Sequence, residues 1–187
     1  MIKLTALLLA FLIPALAVAT EDVPWPKNNG YRMTLYGAPV PASVPGGIPV
    51  DAAEAKVLID AGKAIPIDVI PSAPHLTEDL EGGWLVYHER RNIPGSLWWP
   101  DIGKGALTEA QADFFAAQLA ALPEDKAPLF YCIRNCWMSW NAVKRAARKG
   151  RKTIYWLADG TDGWAEAGFP LEPGKPQGRA WPSLGDN

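Results

Sequence analysis

The chain has 187 residues and a formal net charge of −2, and 49% of its residues are hydrophobic. This near-neutral balance argues against nucleic acid as a partner, because nucleic-acid-binding proteins carry a basic surface. The length suffices for one domain with a full core and is too short for two comfortable domains.

The N-terminus has the pattern of a secretory signal peptide. Lys3 precedes an apolar run at residues 4–16, and small residues follow up to a predicted cleavage after Ala19. The run is short for a bilayer and contains Pro14, so we expect no membrane anchor. We therefore expect residues 1–19 to be removed from an exported protein.

The next segment, residues 20–50, is rich in proline and glycine. Such a composition excludes a regular helix or a central strand, and we interpret it as a proline-rich extension packed as coil on the domain. Asp51 is then predicted to cap a short helix over residues 52–60.

The first predicted strand covers residues 64–70 and carries Asp68 near its end. Pro66 argues against a central position for this strand. A mixed connection follows to residue 91, and residues 93–99 are predicted to form a turn and a short strand. A capping box at residues 108–111 predicts a helix that ends at Leu122.

A strand over residues 129–131 and a helix that ends at Gly150 enclose a tight loop. Ser139 is the predicted N-cap of that helix. The basic run 144–152 is most simply the solvated face and C-terminal end of the helix.

Residues 153–157 predict a further strand, and residues 159–164 form a turn into a short helical piece, with coil at 173–187. Strands that alternate with helices predict an α/β domain with a mostly parallel sheet and helices on both faces. Sites in such sheets form at the carboxyl ends of the strands. Cys132 and Asp68 are expected there.

Both cysteines, Cys132 and Cys136, lie in the tight loop before the helix. Backbone N–H groups and the helix dipole lower the pKa of a thiol in such a place, so we expect Cys132 to be an ionised nucleophile. A disulfide here would close only a small loop and add little stability. The pair can also cycle between dithiol and disulfide, or hold Cu(I) with His75 or His88 completing the site.

The order of these elements resembles that of the rhodanese superfamily over residues 51–172. The shared features are the strand ending in Asp68, the Ile-Pro-Gly-Ser turn at 93–96, the strand running into Cys132, and Gly-Phe-Pro-Leu at 168–171. Within the superfamily, the motifs at 36–41, 132–142 and 155–164 are similar to those of exported rhodanese-like proteins with a CxxCW-type motif. Those proteins are encoded near quinoprotein (PQQ-dependent) alcohol oxidation systems.

The resemblance implies a periplasmic, single-domain sulfurtransferase that works without a cofactor and moves sulfane sulfur through a persulfide on Cys132. Cys136 is then a resolving thiol. The implied partners are a small-molecule or thiol sulfur donor and acceptor and a quinoprotein dehydrogenase system, with no nucleic acid and no membrane. The candidate substrate-binding residues are Asp68, Arg134, Asn135, Trp137, Met138 and Ser139.

The chain departs from the family pattern in two respects. Ser139 lies seven residues after Cys132, so the loop is one residue longer than in sulfur-transferring members. The superfamily's phosphatase branch shares that length but needs an arginine where Met138 lies. Ile70 and Asn92 replace a family Arg and His, which reduces the support for an anionic donor such as thiosulfate and favours a thiol-bound donor. A catalytically silent partner-binding module is the remaining alternative.

Overall fold

The computed structural model describes residues 30–71 and 89–178, and all structural statements concern these residues. They form four helices, a five-stranded sheet and a two-stranded sheet. The strands are β1 (Ile48–Val50), β2 (Ala64–Asp68), β3 (Arg91–Asn92), β4 (Leu97–Trp98), β5 (Ala127–Tyr131), β6 (Tyr155–Leu157) and β7 (Glu172–Pro173). The helices are α1 (Ala52–Asp60), α2 (Glu109–Ala121), α3 (Trp137–Arg148) and α4 (Gly160–Glu166).

The large sheet has the order β1-β6-β5-β2-β4, and all its strand pairs are parallel. A buried core covers each face, one against α2 and α3 and the other against α1 and α4. Side chains of β5 alternate between them, since Phe130 packs in the first core and Leu129 and Tyr131 in the second. The predicted α/β architecture with helices on both faces is confirmed.

Pro66 lies in β2, which is a central strand, so the prediction from this proline is wrong. The strand tolerates the proline because the position of its missing N–H faces no paired residue of β4. The Asp68 carbonyl accepts from Trp99 on the β4 side, whereas the Val69 N–H donates to Tyr131 on the β5 side. Pro66 is two residues before Asp68 and faces the β4 side, where pairing begins only at Ile67. The proline therefore removes no ladder hydrogen bond.

Two helices begin as the sequence predicts. Asp51 caps α1 and Thr108 caps α2, each within a complete capping box. The predicted extension, in contrast, ends in a strand, because residues 48–50 pair with β6 as β1 at the edge of the sheet. An edge position tolerates the proline within this strand.

Helix α3 starts earlier than predicted and is buried more deeply. It begins at Trp137 with Cys136 as N-cap, so the expectation that Ser139 is the N-cap is wrong. Ten of its twelve residues are buried, including Lys144 and Arg145. The interpretation of the basic run as a solvated face is therefore wrong for these two residues.

Residues 30–44, the N-terminal strap, cover α3. The Lys144 ammonium donates to the Gly30 carbonyl at 2.7 Å, and the Arg145 guanidinium lies 4.5 Å from the centre of the Tyr31 ring. Asn141 accepts from the Arg32 N–H and donates to the Arg32 carbonyl, both at 2.9 Å. The predicted packing of the proline-rich coil on the domain is confirmed for this segment.

Within the described ranges, no helix has the length and apolar character that crossing a membrane requires.

Candidate active site

The loop between β5 and α3 lies at the carboxyl edge of the sheet, as predicted for Cys132 and Asp68. The carbonyl of Cys132 is held by the Thr161 N–H at 3.1 Å and by Arg90 Nη2 at 3.3 Å. Gly160 (φ +53°) touches the same carbonyl so closely that a Cβ there would lie 2.3 Å from the oxygen. Two neighbouring segments therefore fix the start of the loop.

Asp68 and Arg90 form a buried ion pair beside the loop. Oδ2 of the fully buried Asp68 accepts from Arg90 Nε at 2.8 Å, and Oδ1 accepts from the Ile70 N–H at 2.9 Å. Burial raises the pKa of Asp68 to about 6, although Arg90 and the backbone donors oppose the shift. Through Arg90, this carboxylate is linked to the Cys132 carbonyl.

The side chain of Cys132 is fully buried and belongs to the core against α2 and α3. Burial raises the pKa of this thiol well above its ordinary value, and its hydrogen bond to Cys136 and the nearby charge of Asp68 raise it further. This direction is opposite to the one that the loop amides led us to expect for Cys132. In this loop the amides converge on the other cysteine.

Cys136 is the thiol whose anion the structure stabilises. The hydrogen bond from the Cys132 thiol lowers the pKa of Cys136, and the N–H groups of Met138, Ile133 and Ser139 lower it further, against the effect of burial. As N-cap of a 12-residue helix, the sulfur also lies at the positive end of the α3 dipole. Cys136 is 6% exposed and Cys132 is 0% exposed, so the more acidic thiol is also the more accessible one.

The N-terminal strap passes over Cys136. Gly37 forms an isolated antiparallel bridge with Cys136, and the Trp137 N–H donates to the Tyr36 carbonyl at 2.8 Å. The Trp137 indole donates to the Pro39 carbonyl at 3.0 Å. Approach to the thiol therefore depends on this segment as well as on the loop.

Three predicted substrate-binding side chains point into the fold. Trp137 and Met138 are 1% and 2% exposed, and Ser139 is fully buried, with its hydroxyl between the Cys136 carbonyl and the Trp156 indole. Met138 and Ser139 contribute backbone N–H groups to Cys136 instead. Asn135 lies exposed at the tip of the loop in a left-handed conformation (φ +57°), which asparagine tolerates.

Arg134 is engaged by acidic residues of the α4 region. Its guanidinium donates to both carboxylate oxygens of Glu166, at 2.6 and 2.5 Å, and to Asp159 at 3.1 Å. Its backbone N–H donates to Asp162 at 2.9 Å. These bonds raise the pKa of Arg134 and compensate its positive charge, so the arginine fixes the outer part of the loop.

The copper alternative and the signal peptide concern undescribed residues. His75 and His88 lie in the connection 72–88, and residues 1–19 precede the described ranges. Within residues 30–71 and 89–178, no group of three or more His, Cys, Asp or Glu side chains is placed to hold a metal ion.

Two contributors to the site were missed in the sequence. Arg90 supplies a cation next to Asp68, and its nearness in sequence to the 93–96 turn could have indicated it. The strap was predicted to pack on the domain, but its contact with Cys136 was not. In the sequence, the aromatic residues Tyr36 and Trp137 could have indicated this contact.

Comparisons with known proteins find distant structural similarity and no family. No family model matches the chain, and no curated protein matches it. Among solved structures, it is similar to a thiosulfate sulfurtransferase from Pseudomonas aeruginosa (20% identity, TM-score 0.47, covering 73% of this chain and 22% of that one). It is also similar to the polysulfide-sulfur transferase homodimer of Wolinella succinogenes (16%, 0.45, covering 76% and 85%).

A third similar structure is a possible tyrosine phosphatase from Rhodopseudomonas palustris (24% identity, TM-score 0.40, covering 67% of this chain and 83% of that one). At such identities and scores the likeness concerns the arrangement of strands and helices and assigns no activity to this chain. The activity has to be argued from the cysteine pair.

Proposed function

We propose that this protein is a sulfurtransferase-type enzyme in which Cys136 accepts the sulfane sulfur and Cys132 assists it. One observation carries the proposal: Cys136 is the N-cap of α3, where the Cys132 thiol and nearby backbone N–H groups lower its pKa. The same groups can stabilise the persulfide anion that replaces the thiolate, because its charge also lies on sulfur at the helix N-terminus. The persulfide expected on Cys132 is thus reassigned to Cys136.

The transfer step needs no external oxidant. The Cys136 thiolate attacks the outer sulfur of a donor R–S–SH, a new S–S bond forms on Cys136, and the S–S bond of the donor breaks. The donor leaves as a thiol after taking up a proton. An acceptor thiolate can then take the outer sulfur by the reverse exchange.

The second cysteine allows a different exit for the sulfur. The Cys132 sulfur attacks the inner sulfur of the Cys136 persulfide, which releases hydrogen sulfide and leaves a Cys132–Cys136 disulfide. The sulfane sulfur is reduced and the two cysteines are oxidised, so the electrons balance. A reductant, a dithiol for instance, must then restore the pair.

Intact-protein mass spectrometry with peptide mapping tests the assignment. The protein is treated with the persulfide of cysteamine, and we expect one added sulfur atom, mapped to Cys136. The Cys136→Ser variant should gain none, whereas Cys132→Ser should gain the sulfur and keep it longer. Addition of sulfur to Cys132 in the Cys136→Ser variant would overturn the assignment.

Thiol–disulfide exchange is the second candidate function, favoured by the direct hydrogen bond between the two thiols. A slightly exposed, more acidic thiol beside a fully buried, less acidic one suits a dithiol that reduces a target disulfide. Equilibration in glutathione buffers, followed by thiol trapping, separates the two functions. A protein that gains no sulfur but cycles reversibly between dithiol and disulfide is an oxidoreductase.

We further propose that the reaction takes place in the periplasm and serves a quinoprotein oxidation system. The support is in the sequence alone, namely the apolar run at 4–16 and the CxxCW-type motif. Fractionation of cells that produce the full chain, followed by mass analysis of its N-terminus, tests export. Cleavage after residue 19 is expected, and an intact chain in the cytoplasm would contradict it.

A further inference from the structure

The positive groups around the cysteine loop are already committed to protein partners. Arg134 is bound by Glu166 and Asp159, and Arg90 by Asp68 and the Cys132 carbonyl. An oxyanion at either guanidinium would compete with these acceptors, and the charge of each arginine is already compensated by at least one carboxylate. Neither arginine is therefore available to hold an anionic substrate at low cost.

The backbone N–H groups at the start of α3 are committed as well. The Trp137 N–H donates to Tyr36 of the strap at 2.8 Å, and the Met138 and Ser139 N–H groups act on the Cys136 sulfur, whose pKa they lower. A helix N-terminus with free N–H groups would bind an oxyanion. Here the first three N–H groups of the helix have acceptors within the protein.

The outer side of the loop is acidic. Asp159, Asp162 and Glu166 all bond to Arg134, so this cluster carries three negative charges and one positive charge. Asp159 and Glu166 are more than half exposed and thus act on the solvent side of the site.

Arg32 is the remaining described cation near the loop, and it lies on the strap. Its guanidinium is 5.2 Å from the centre of the Trp137 ring and donates to the Thr34 carbonyl at 2.7 Å. The residue is 6% exposed, so its charge is directed into the fold. The charge of Arg32 therefore does not offset the acidic residues on the solvent side of the loop.

We propose that this site takes sulfur from neutral or cationic thiol-borne donors, such as the persulfide of an amine-bearing thiol or of a cysteine flanked by basic residues, and discriminates against oxyanion donors such as thiosulfate. The inference rests on the proposed function and specifies its substrate class. The donor's S–S bond breaks, the Cys136 S–S bond forms, and the donor leaves as its thiol. A negative field opposes the approach of a dianion to a thiolate and favours that of a cation.

A matched pair of thiol reagents tests the charge selectivity without requiring sulfur transfer. The trimethylammonioethyl and sulfonatoethyl methanethiosulfonates differ only in charge, and each forms a mixed disulfide with a thiolate and releases methanesulfinate. We expect the ratio of the cationic to the anionic rate constant to exceed the ratio for 2-mercaptoethanol by about tenfold at low ionic strength. Added salt should reduce the excess.

Charge-removing variants identify the source of the selectivity. Asp162→Asn and Glu166→Gln keep acceptor oxygens for Arg134 but remove one negative charge each, so the excess should fall in both and fall most in the double variant. Asp113→Asn, on the exposed side of α2, makes the same change of charge and is the control. It should react like the wild type.

Sulfur loading links the selectivity to the reaction. With cysteamine persulfide and thiosulfate as donors, the double variant should be loaded faster by thiosulfate and more slowly by the cationic persulfide than the wild type is. If the two methanethiosulfonates react in the ratio found for 2-mercaptoethanol, the inference is overturned whether or not sulfur is transferred. If neither donor loads sulfur but the reagents still differ, the proposed function fails and the charge selectivity of the site stands.

Discussion

Cys132 and Cys136 differ by four positions in sequence, and the structure gives them opposite surroundings. Cys132 continues β5 into the core, where its neighbours are apolar side chains and the Asp68 carboxylate. Cys136 begins α3, where N–H groups point at its sulfur. Position relative to the helix, more than position relative to the strand, therefore decides which thiol is the more acidic.

The largest expected effect is on alkylation of the two thiols. In the wild type, iodoacetamide should modify Cys136 much faster than Cys132, because the pKa of Cys136 is lowered while that of the fully buried Cys132 is raised. Cys136→Ser should abolish the fast phase and Cys132→Ser should keep it. Peptide mapping after timed quenching measures both rates, and faster labelling of Cys132 would reverse the comparison.

The N-terminal strap should protect Cys136, and not Cys132, from alkylation. The fully buried Asn141 carboxamide makes three hydrogen bonds, two to Arg32 and one to the Gly103 carbonyl, each at 2.9 Å. Asn141→Ala leaves these backbone groups unpaired and should lower the free energy of unfolding by about 2–4 kcal/mol. Because the strap then loosens, Cys136 should be alkylated faster while Cys132 remains protected.

Urea unfolding and alkylation of the same samples check this second effect. Thr34→Ala is the matched control, since it removes a side chain from an exposed position of the same strap. It should change neither measurement. Equal acceleration at both cysteines in Asn141→Ala would mean that the whole loop opens and that the strap covers no particular thiol.

A smaller effect is expected from Asp68, on the Cys132 side. Its pKa is raised in the folded state, to about 6, so between pH 4 and pH 6 the folded protein binds more protons than the unfolded chain. The free energy of unfolding contributed by this group therefore falls as pH rises through that window and is constant above it. Asp68→Asn should remove a fall of roughly 1–3 kcal/mol.

Stability curves of wild type and Asp68→Asn across this pH range test the sign. The variant should also bring the two thiols closer in acidity, since the Asp68 charge raises the pKa of Cys132 and Arg90 would then be unpaired. Identical pH slopes in the two proteins would show that burial does not raise the pKa of the Asp68 carboxyl group.

The predictions that the structure confirms depend on residues that lie close together in sequence. Asp51 and Thr108 mark the starts of α1 and α2, because a capping box involves residues only three positions apart. The alternation of strands and helices predicted the parallel sheet and placed Cys132 and Asp68 at its carboxyl edge. These features need no knowledge of distant contacts.

The electrostatics of the site depend on contacts distant in sequence. The sequence predicted that Lys144 and Arg145 lie on a solvated face. Both are buried, because the strap supplies a carbonyl group to Lys144 and the ring of Tyr31 to Arg145. Which cysteine meets the amides depends on the first residue of α3, and Ser139 looked like the better cap. A displacement of two or three residues at a helix start is within the uncertainty of boundary prediction, but here it exchanges the roles of the thiols.

The smallest effect concerns the hydrogen bond between the Cys132 and Cys136 thiols. Cys132→Ala removes the S–H donor and should raise the pKa of Cys136 toward its ordinary value. Cys132→Ser keeps a donor in nearly the same place and should raise it less, which makes the two variants a matched pair. The ultraviolet absorbance of the thiolate, followed against pH, gives the midpoint in each. If alanine and serine leave the midpoint where the wild type has it, the amides of α3 alone make Cys136 acidic, and Cys132 serves only to resolve the persulfide.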